Sequence, residues 1–364
     1  MIRKGLLAWS LALGSAACCA VALSGPVFNQ AASAADPAGQ PEQVDQLAGD
    51  AMTRVELTQV WDDLDKKQYA NALKILKPMA EKGSKAAQYH LALMYLDGEG
   101  VPQDHKKAAE LFQKASDQGG KHSMYNLGLL YANGDGVPQS FDKAFQLFKT
   151  AADKGEPDAQ YNLGMLYLFG NGTKKDVKEG EKYLNLAADQ GQVDAQYNQC
   201  LMYLDGKSDD EKKKAFKTVT KLAEKGYVGA EYNLGTMYLD GVGIDKDETK
   251  AFKWISKAAD GGSLEAEYNL GLMYLNGAGV AKDENQALTW FKKAADSGFR
   301  DAQFNIGLMY EKGGTLPKNE KIAREWFAKA ADQGDKEAKE KIAMLGAGSA
   351  KHATAGPHGK RRTR

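Results

Sequence analysis

The sequence predicts an all-α chain, an α-solenoid of helix-turn-helix repeats winding into a curved superhelix, and three observations carry that reading. A glycine returns at a fixed interval, at Gly83, Gly119, Gly155, Gly191, Gly226, Gly262, Gly298 and Gly334, each step being 36 residues except the 35 between Gly191 and Gly226. Self-similarity at such a period marks an array of supersecondary units, each unable to bury its apolar face alone. Within each interval the apolar residues recur at helical spacing and not at the alternation of a strand. Finally, Cys200 is the one cysteine beyond the first 34 residues. No internal disulfide is available there, and packing must hold the fold.

From the amino terminus, residues 1–34 read as a secretory signal. Arg3 and Lys4 precede an uncharged run from Gly5 to Phe28, and Ala32-Ser33-Ala34 is a small-residue cleavage site. A periplasmic or secreted location follows, with no transmembrane segment left after cleavage. An uncleaved anchor is the alternative, because the uncharged run approaches the roughly 20 residues that span a bilayer. Ser15-Ala16-Ala17-Cys18 is a poor lipidation site for want of a large aliphatic residue at its start. Residues 35–52 follow as a flexible linker and 53–345 as the solenoid. The solenoid comprises a partial unit whose Tyr69, Leu73, Leu76 and Ala80 line one helix, seven full repeats at about 84–334, and a capping helix ending at Leu345. Residues 346–364 form a basic disordered tail, free of acid and carrying Lys351, Lys360, Arg361, Arg362 and Arg364. With the leader and tail cations set aside, 41 basic residues face 48 acidic ones, so the repeat body has a net charge of about minus seven and disfavours nucleic acid.

Each full repeat contains two helices. In the first, helix A, Ala159, Leu163, Leu166 and Tyr167 form one apolar stripe while Tyr161, Met165 and Leu168 form a second about 120° away. A helix apolar on two faces is an inner element. In helix B, Ala144, Leu147, Phe148, Ala151 and Ala152 make one stripe opposite Asp142, Lys143, Gln146, Lys149 and Asp153, the pattern of a solvated outer layer. Asp158 reads as an N-cap of helix A and Gly170 as its left-handed C-terminal residue. Glycine inside a helix costs roughly 0.5–1 kcal/mol relative to alanine, yet Gly128, Gly164, Gly235, Gly271 and Gly307 recur there, which predicts close helix approach.

The pattern AxYNLGxxYxxGxGV followed by KAxxxFxKAADxG resembles the Sel1-like repeat family, relatives of the tetratricopeptide repeats. Repeat four departs from it, with Gln199-Cys200 in place of Leu-Gly, and so does repeat seven, where Gly313-Gly314-Thr315 alters the glycine loop. The resemblance implies a non-enzymatic scaffold for protein-protein interaction, placed by the leader in the cell envelope. The rival is an enzyme acting on beta-lactam or cell-wall substrates, a branch of the class with a cysteine pair in each repeat, which this chain lacks.

A catalytic reading needs a nucleophile with its base, paired carboxylates or a metal cluster, and the sequence offers none. His90, His105, His122, His352 and His358 have no metal-ligand spacing, so no cofactor and no metal is expected. Cys200 reads as a small apolar residue where helices touch.

The candidate partner-binding residues lie on helix A. Asn126, Asn162, Asn198, Asn233, Asn269 and Asn305 hold one position in successive repeats, beside Tyr125, Tyr161, Tyr197, Tyr232 and Tyr268 and, a turn later, Met165. Two readings stand. The asparagines lock repeat to repeat, because a buried amide must be satisfied; or, as the tetratricopeptide relatives imply, they line a concave groove that receives a protein or peptide partner, with the basic tail touching anionic envelope polymers. Exposure of the tyrosines decides between the two.

Overall fold

The structure, a computed structural model, describes residue 50, residues 52–205 and residues 208–354. The leader, nearly all of the linker and residues 355–364 lie outside the described residues. Among the described residues there are seventeen helices and no strand. The chain divides at Gln199 and Cys200 into two compact units.

In the amino-terminal unit the helices are α1 (Arg54–Asp65), α2 (Tyr69–Glu81), α3 (Lys85–Asp97), α4 (His105–Asp117), α5 (Lys121–Asn133), α6 (Phe141–Asp153), α7 (Pro157–Phe169) and α8 (Val177–Asp189). The division falls inside α9 (Val193–Asp205). In the carboxy-terminal unit follow α10 (Asp209–Glu224), α11 (Val228–Asp240), α12 (Glu248–Asp260), α13 (Leu264–Asn276), α14 (Glu284–Asp296), α15 (Arg300–Lys312), α16 (Glu320–Asp332) and α17 (Lys336–Thr354). From α1 to α8, and again from α10 to α17, each helix packs on the next. Odd-numbered helices from α3 to α15 are the A helices and their successors the B helices.

The first hairpin corrects the sequence reading. A partial unit with one helix was expected there, but α1 and α2 form a complete pair. Thr53 and Glu56 close a capping box at its start: the Thr53 hydroxyl accepts from the Glu56 amide at 3.2 Å and the Glu56 carboxylate accepts from the Thr53 amide at 2.8 Å. Leu57, Val60 and Leu64 then form the buried stripe of α1. At the other end α17 continues to Thr354, past the boundary drawn at Leu345. A third correction is local: Glu156, not Asp158, occupies the cap position of α7, and Asp158 lies in the first turn, where a carboxylate complements the helix dipole. Gly170 ends α7 in the left-handed conformation, as expected, at φ 76°.

The link between A and B helices is pinned twice over. Outside repeat four, whose Ser208 amide donates to the Glu211 carboxylate at 3.2 Å, the amide of the residue capping the B helix donates to the carbonyl of a tyrosine near the end of the A helix, as Asp104 does to Tyr95, Ser140 to Tyr131 and Asp283 to Tyr274, all at 2.8 Å. The same residue's side chain caps the B helix, as Asp283 does by accepting from the Gln286 amide at 3.0 Å. The second loop glycine rests on the preceding B helix. A Cβ on Gly279, at φ 68°, would collide with the carbonyl of Glu248, the first residue of α12. Repeat seven keeps the contact by other means, the Thr315 amide donating to the Glu284 carboxylate at 2.9 Å.

The helix A glycines mark where α-helices meet most closely. A Cβ on Gly271 would stand 2.6 Å from the Phe291 ring, and one on Gly307 would stand 2.6 Å from the Phe327 ring. Both phenylalanines are fully buried, so the small residue exists to seat the large one. Repeat four exchanges the volumes: Cys200 replaces the glycine and Val219 stands at the phenylalanine position, both buried. Gly271→Ala is therefore expected to destabilise by about 1–3 kcal/mol through overpacking. Combining it with Phe291→Val, an exchange of volumes like that of Cys200 and Val219 in repeat four, should cost less than the sum of the two single changes. Denaturant melts of the four proteins in the cycle would show it.

Candidate partner-binding site

The structure puts most of the expected lane inside the repeat stack. Tyr125, Asn126, Asn162, Met165, Asn233, Tyr268, Asn269 and Asn305 are buried, while Tyr161, Tyr197, Asn198 and Tyr232 are half-buried. Their polar atoms join one A helix to the next. The Asn269 side-chain amide donates to the Tyr232 hydroxyl at 2.9 Å, that of Asn305 to the Tyr268 hydroxyl at 3.0 Å, and that of Asn198 to the Tyr161 hydroxyl at 3.5 Å. Tyr125 and Asn162 make the equivalent pair; burial raises the phenol's pKa, helped by Asp158 and Glu156, and the hydrogen bond from Asn162 opposes the rise. The groove reading is thus corrected for the eight buried residues. A phenol and an amide nitrogen that must leave water together bond each other across the repeat boundary, while the Oδ1 atoms of Asn269 and Asn305 are buried without a hydrogen-bond partner among the described residues.

A second set of rungs has no counterpart in the sequence reading. Five residues after the terminal glycine, helix A carries glutamine or glutamate in six of the seven repeats, the second having Met124 there. Where it is glutamine, the side-chain amide donates to an alanine carbonyl of the preceding B helix: Gln88 to Ala80 at 3.2 Å, Gln160 to Ala152 at 3.3 Å, Gln303 to Ala295 at 3.2 Å. In three of the four glutamine rungs the glutamine oxygen in turn accepts from a glutamine at the end of its own repeat's B helix, Gln118, Gln190 or Gln333; the repeat of Gln196 has Lys225 at that place. Where it is glutamate, it cannot donate. Lysine then supplies the proton: Lys257 pairs with buried Glu231 at 2.6 Å and reaches the Ala223 carbonyl at 3.5 Å, and Lys293 pairs with buried Glu267 at 2.9 Å and reaches Ala259 at 3.4 Å. The signal was present as a covariation within the chain, since the glutamates occur only where that second glutamine is missing.

Sel1 repeats match at residues 85–120, 121–156, 157–192, 193–227, 228–263, 264–299 and 300–335, unit for unit with these helix pairs. The chain belongs to the Sel1 repeat family. Among solved structures it is similar to a protective antigen with an SLR fold present in uropathogenic Escherichia coli strains, at 29% identity over 84% of this chain with a TM-score of 0.70. This chain spans 66% of that antigen. It is also similar to a Sel1 repeat protein from Oxalobacter formigenes, at 31% identity over 84% of this chain and 89% of that one, with a TM-score of 0.58. Comparison with curated proteins found no match. Sel1 repeat proteins are in general protein-interaction scaffolds, and typically non-enzymatic.

The groups with reactive potential sit where Sel1 packing explains them. Cys200 is buried in α9 with its thiol donating to the Ala215 carbonyl at 3.2 Å, and burial pushes its pKa up to about 12. A protonated, enclosed thiol is a poor nucleophile. His90 takes the asparagine position of the first repeat, buried beside the rings of Trp61 and Tyr89. Burial, with a smaller contribution from His122, lowers its pKa to about 4. His122 faces the buried Glu156 carboxylate at 3.0 Å, with the Lys121 ammonium 3.5 Å from the same oxygen. Among the described residues no three His, Cys, Asp or Glu side chains are grouped to hold a metal ion.

His90 gives a pH prediction with a definite sign. Its folded pKa lies below the 6.5 of the unfolded chain, so between those values the unfolded state binds the extra proton. The stability that depends on neutral His90 is complete above pH 6.5 and is lost as the pH falls toward about 4. Stability profiles of the wild type and His90→Asn should run parallel above pH 6.5 and diverge as the pH falls through the window toward about 4, the variant losing less stability on acidification. Profiles that stay parallel through the window would show that His90 has no such linkage.

Proposed function

We propose that this chain is an exported scaffold of the cell envelope that holds protein partners and performs no chemistry of its own. The observation that carries the reading is how the polar side chains of the A helices are used. Tyrosines, asparagines, glutamines and glutamates that would serve a binding or catalytic cleft are bonded within the stack, to a neighbouring repeat or to the B helix of their own, leaving the B helix faces and the glycine loops for contact with other molecules. Export rests on the leader: the basic pair at Arg3 and Lys4, the uncharged run and the small-residue site at Ala32-Ser33-Ala34. The Escherichia coli relative described as a protective antigen fits an exported placement. No helix among the described residues is long and apolar enough to cross a membrane. The basic tail supplies a weak, salt-sensitive attraction to anionic envelope polymers.

Two measurements on protein made in its native host test this reading. Amino-terminal sequencing is expected to begin near Ala35, whereas recovery of intact residues 1–34 in the membrane fraction would place the chain on an uncleaved anchor. The purified chain is expected to leave a chromogenic beta-lactam and peptidoglycan intact while retaining an envelope protein that rebinds from purified components in a fixed ratio. Turnover of either substrate would overturn the scaffold reading.

A further inference from the structure

We propose that the outer faces of α10 and α12 form a docking surface for an acidic protein segment, an inference that rests on the scaffold reading and assigns it one surface. The repeats provide an internal control. On each B helix the positions twelve, nine and five residues before the terminal glycine fall at i, i+3 and i+7 and share one face. In α10 all three are lysine, Lys214, Lys217 and Lys221, and α12 repeats the set with Lys250, Lys253 and Lys257. All six are exposed. Each of the other five B helices breaks the set, with Glu110 in α4, Gln146 in α6, Glu179 in α8, Thr289 in α14 and Glu325 in α16. The fold therefore accepts acidic and neutral residues at these positions and requires lysine at only one of the six, Lys257, which answers the buried Glu231.

The two stripes lie side by side. The loop entering α12 rests on the first turn of α10, where a Cβ on Gly243 would meet the Lys212 carbonyl, and at the far end Lys257 reaches the Ala223 carbonyl at 3.5 Å. Each stripe is about 10 Å long at about 1.5 Å per residue. Lys250 pairs with Asp247 at 3.2 Å and Lys257 with Glu231 at 2.6 Å. Lys214, Lys217, Lys221 and Lys253 have no carboxylate partner among the described residues, and the carboxylates of both helices stand at their ends. Like charges at this spacing destabilise a helix, so a concentrated positive face on a body of net negative charge is kept at a cost to the fold. Counter-charge from a partner offsets that cost.

The chemistry favours a peptide over other polyanions. Trp254 lies half-buried beside the α12 stripe, with the Lys257 ammonium 5.3 Å and the Lys253 ammonium 6.0 Å from its ring. A peptide that alternates carboxylates with aliphatic side chains uses both the lysines and the indole, whereas a uniform polyanion uses the lysines alone. A bilayer would need apolar side chains projecting further than a half-buried indole.

Fluorescence anisotropy with a labelled peptide alternating glutamate and leucine, titrated with the full chain, tests the proposal. The peptide is expected to bind, to weaken as salt rises and to lose binding when its glutamates are replaced by glutamine. Lys217→Glu combined with Lys253→Glu should weaken binding by about ten-fold or more with the melting temperature unchanged or raised, and Lys292→Glu on α14 should leave binding intact. Equal binding of the glutamine peptide, or an unaffected double variant, overturns the docking surface. Binding of anionic phospholipid vesicles or a polyuronate through the same lysines, without the peptide, overturns the choice of partner. If the peptide fails while an envelope protein is still retained in a fixed ratio, the surface is wrong and the scaffold reading stands.

Discussion

The contact that everything else depends on is the seating of a large B helix side chain against a helix A glycine. At Gly271 and Phe291, and again at Gly307 and Phe327, the A helix comes so close that no Cβ fits between backbone and ring. That approach leaves the A helix enclosed over most of its surface: in α13, residues from Ala266 to Met273 are buried without a break. An enclosed helix that carries tyrosine, asparagine and glutamate must satisfy them inside the protein. The rungs between repeats follow from that necessity.

Two kinds of rung result, and they differ in what they tolerate. The tyrosine-asparagine rungs use neutral partners, as in Tyr232 with Asn269 and Tyr268 with Asn305. The glutamine rungs have an ionic substitute, because an alanine carbonyl accepts equally from an amide or an ammonium. When Glu231 or Glu267 replaces glutamine, Lys257 or Lys293 restores the donor and neutralises the buried charge in one step. With helix A committed to stacking, the surface open to partners is the B helix layer. There the residues change from repeat to repeat while the apolar stripe beneath them stays constant.

Much of this was legible in the sequence. The glycine spacing fixed seven units and their two helices, and the internal glycines pointed to close approach. The exposure of the lane was not legible, since periodicity shows which residues share a face and not which neighbour covers that face; Tyr125 and Tyr268 are covered, while Tyr161 and Tyr232 are partly open. Helix α1 was missed because it stands outside the glycine frame, although the capping box of Thr53 and Glu56 was there to be read. The cap of α7 was misassigned because an aspartate two residues inside the helix looks like a cap when the preceding Pro157 is not counted as the first helical residue.

The central claim is that the tyrosine-asparagine rungs serve stacking and not capture. Replacing Tyr232 and Tyr268 by phenylalanine keeps both rings and removes both hydroxyls, so a single pair of measurements, the denaturant melt and the retention of an envelope partner, separates the roles. The account predicts a stability loss of about 1 kcal/mol for each hydroxyl removed, with partner retention unchanged. Lost retention with an unaltered melt would contradict it.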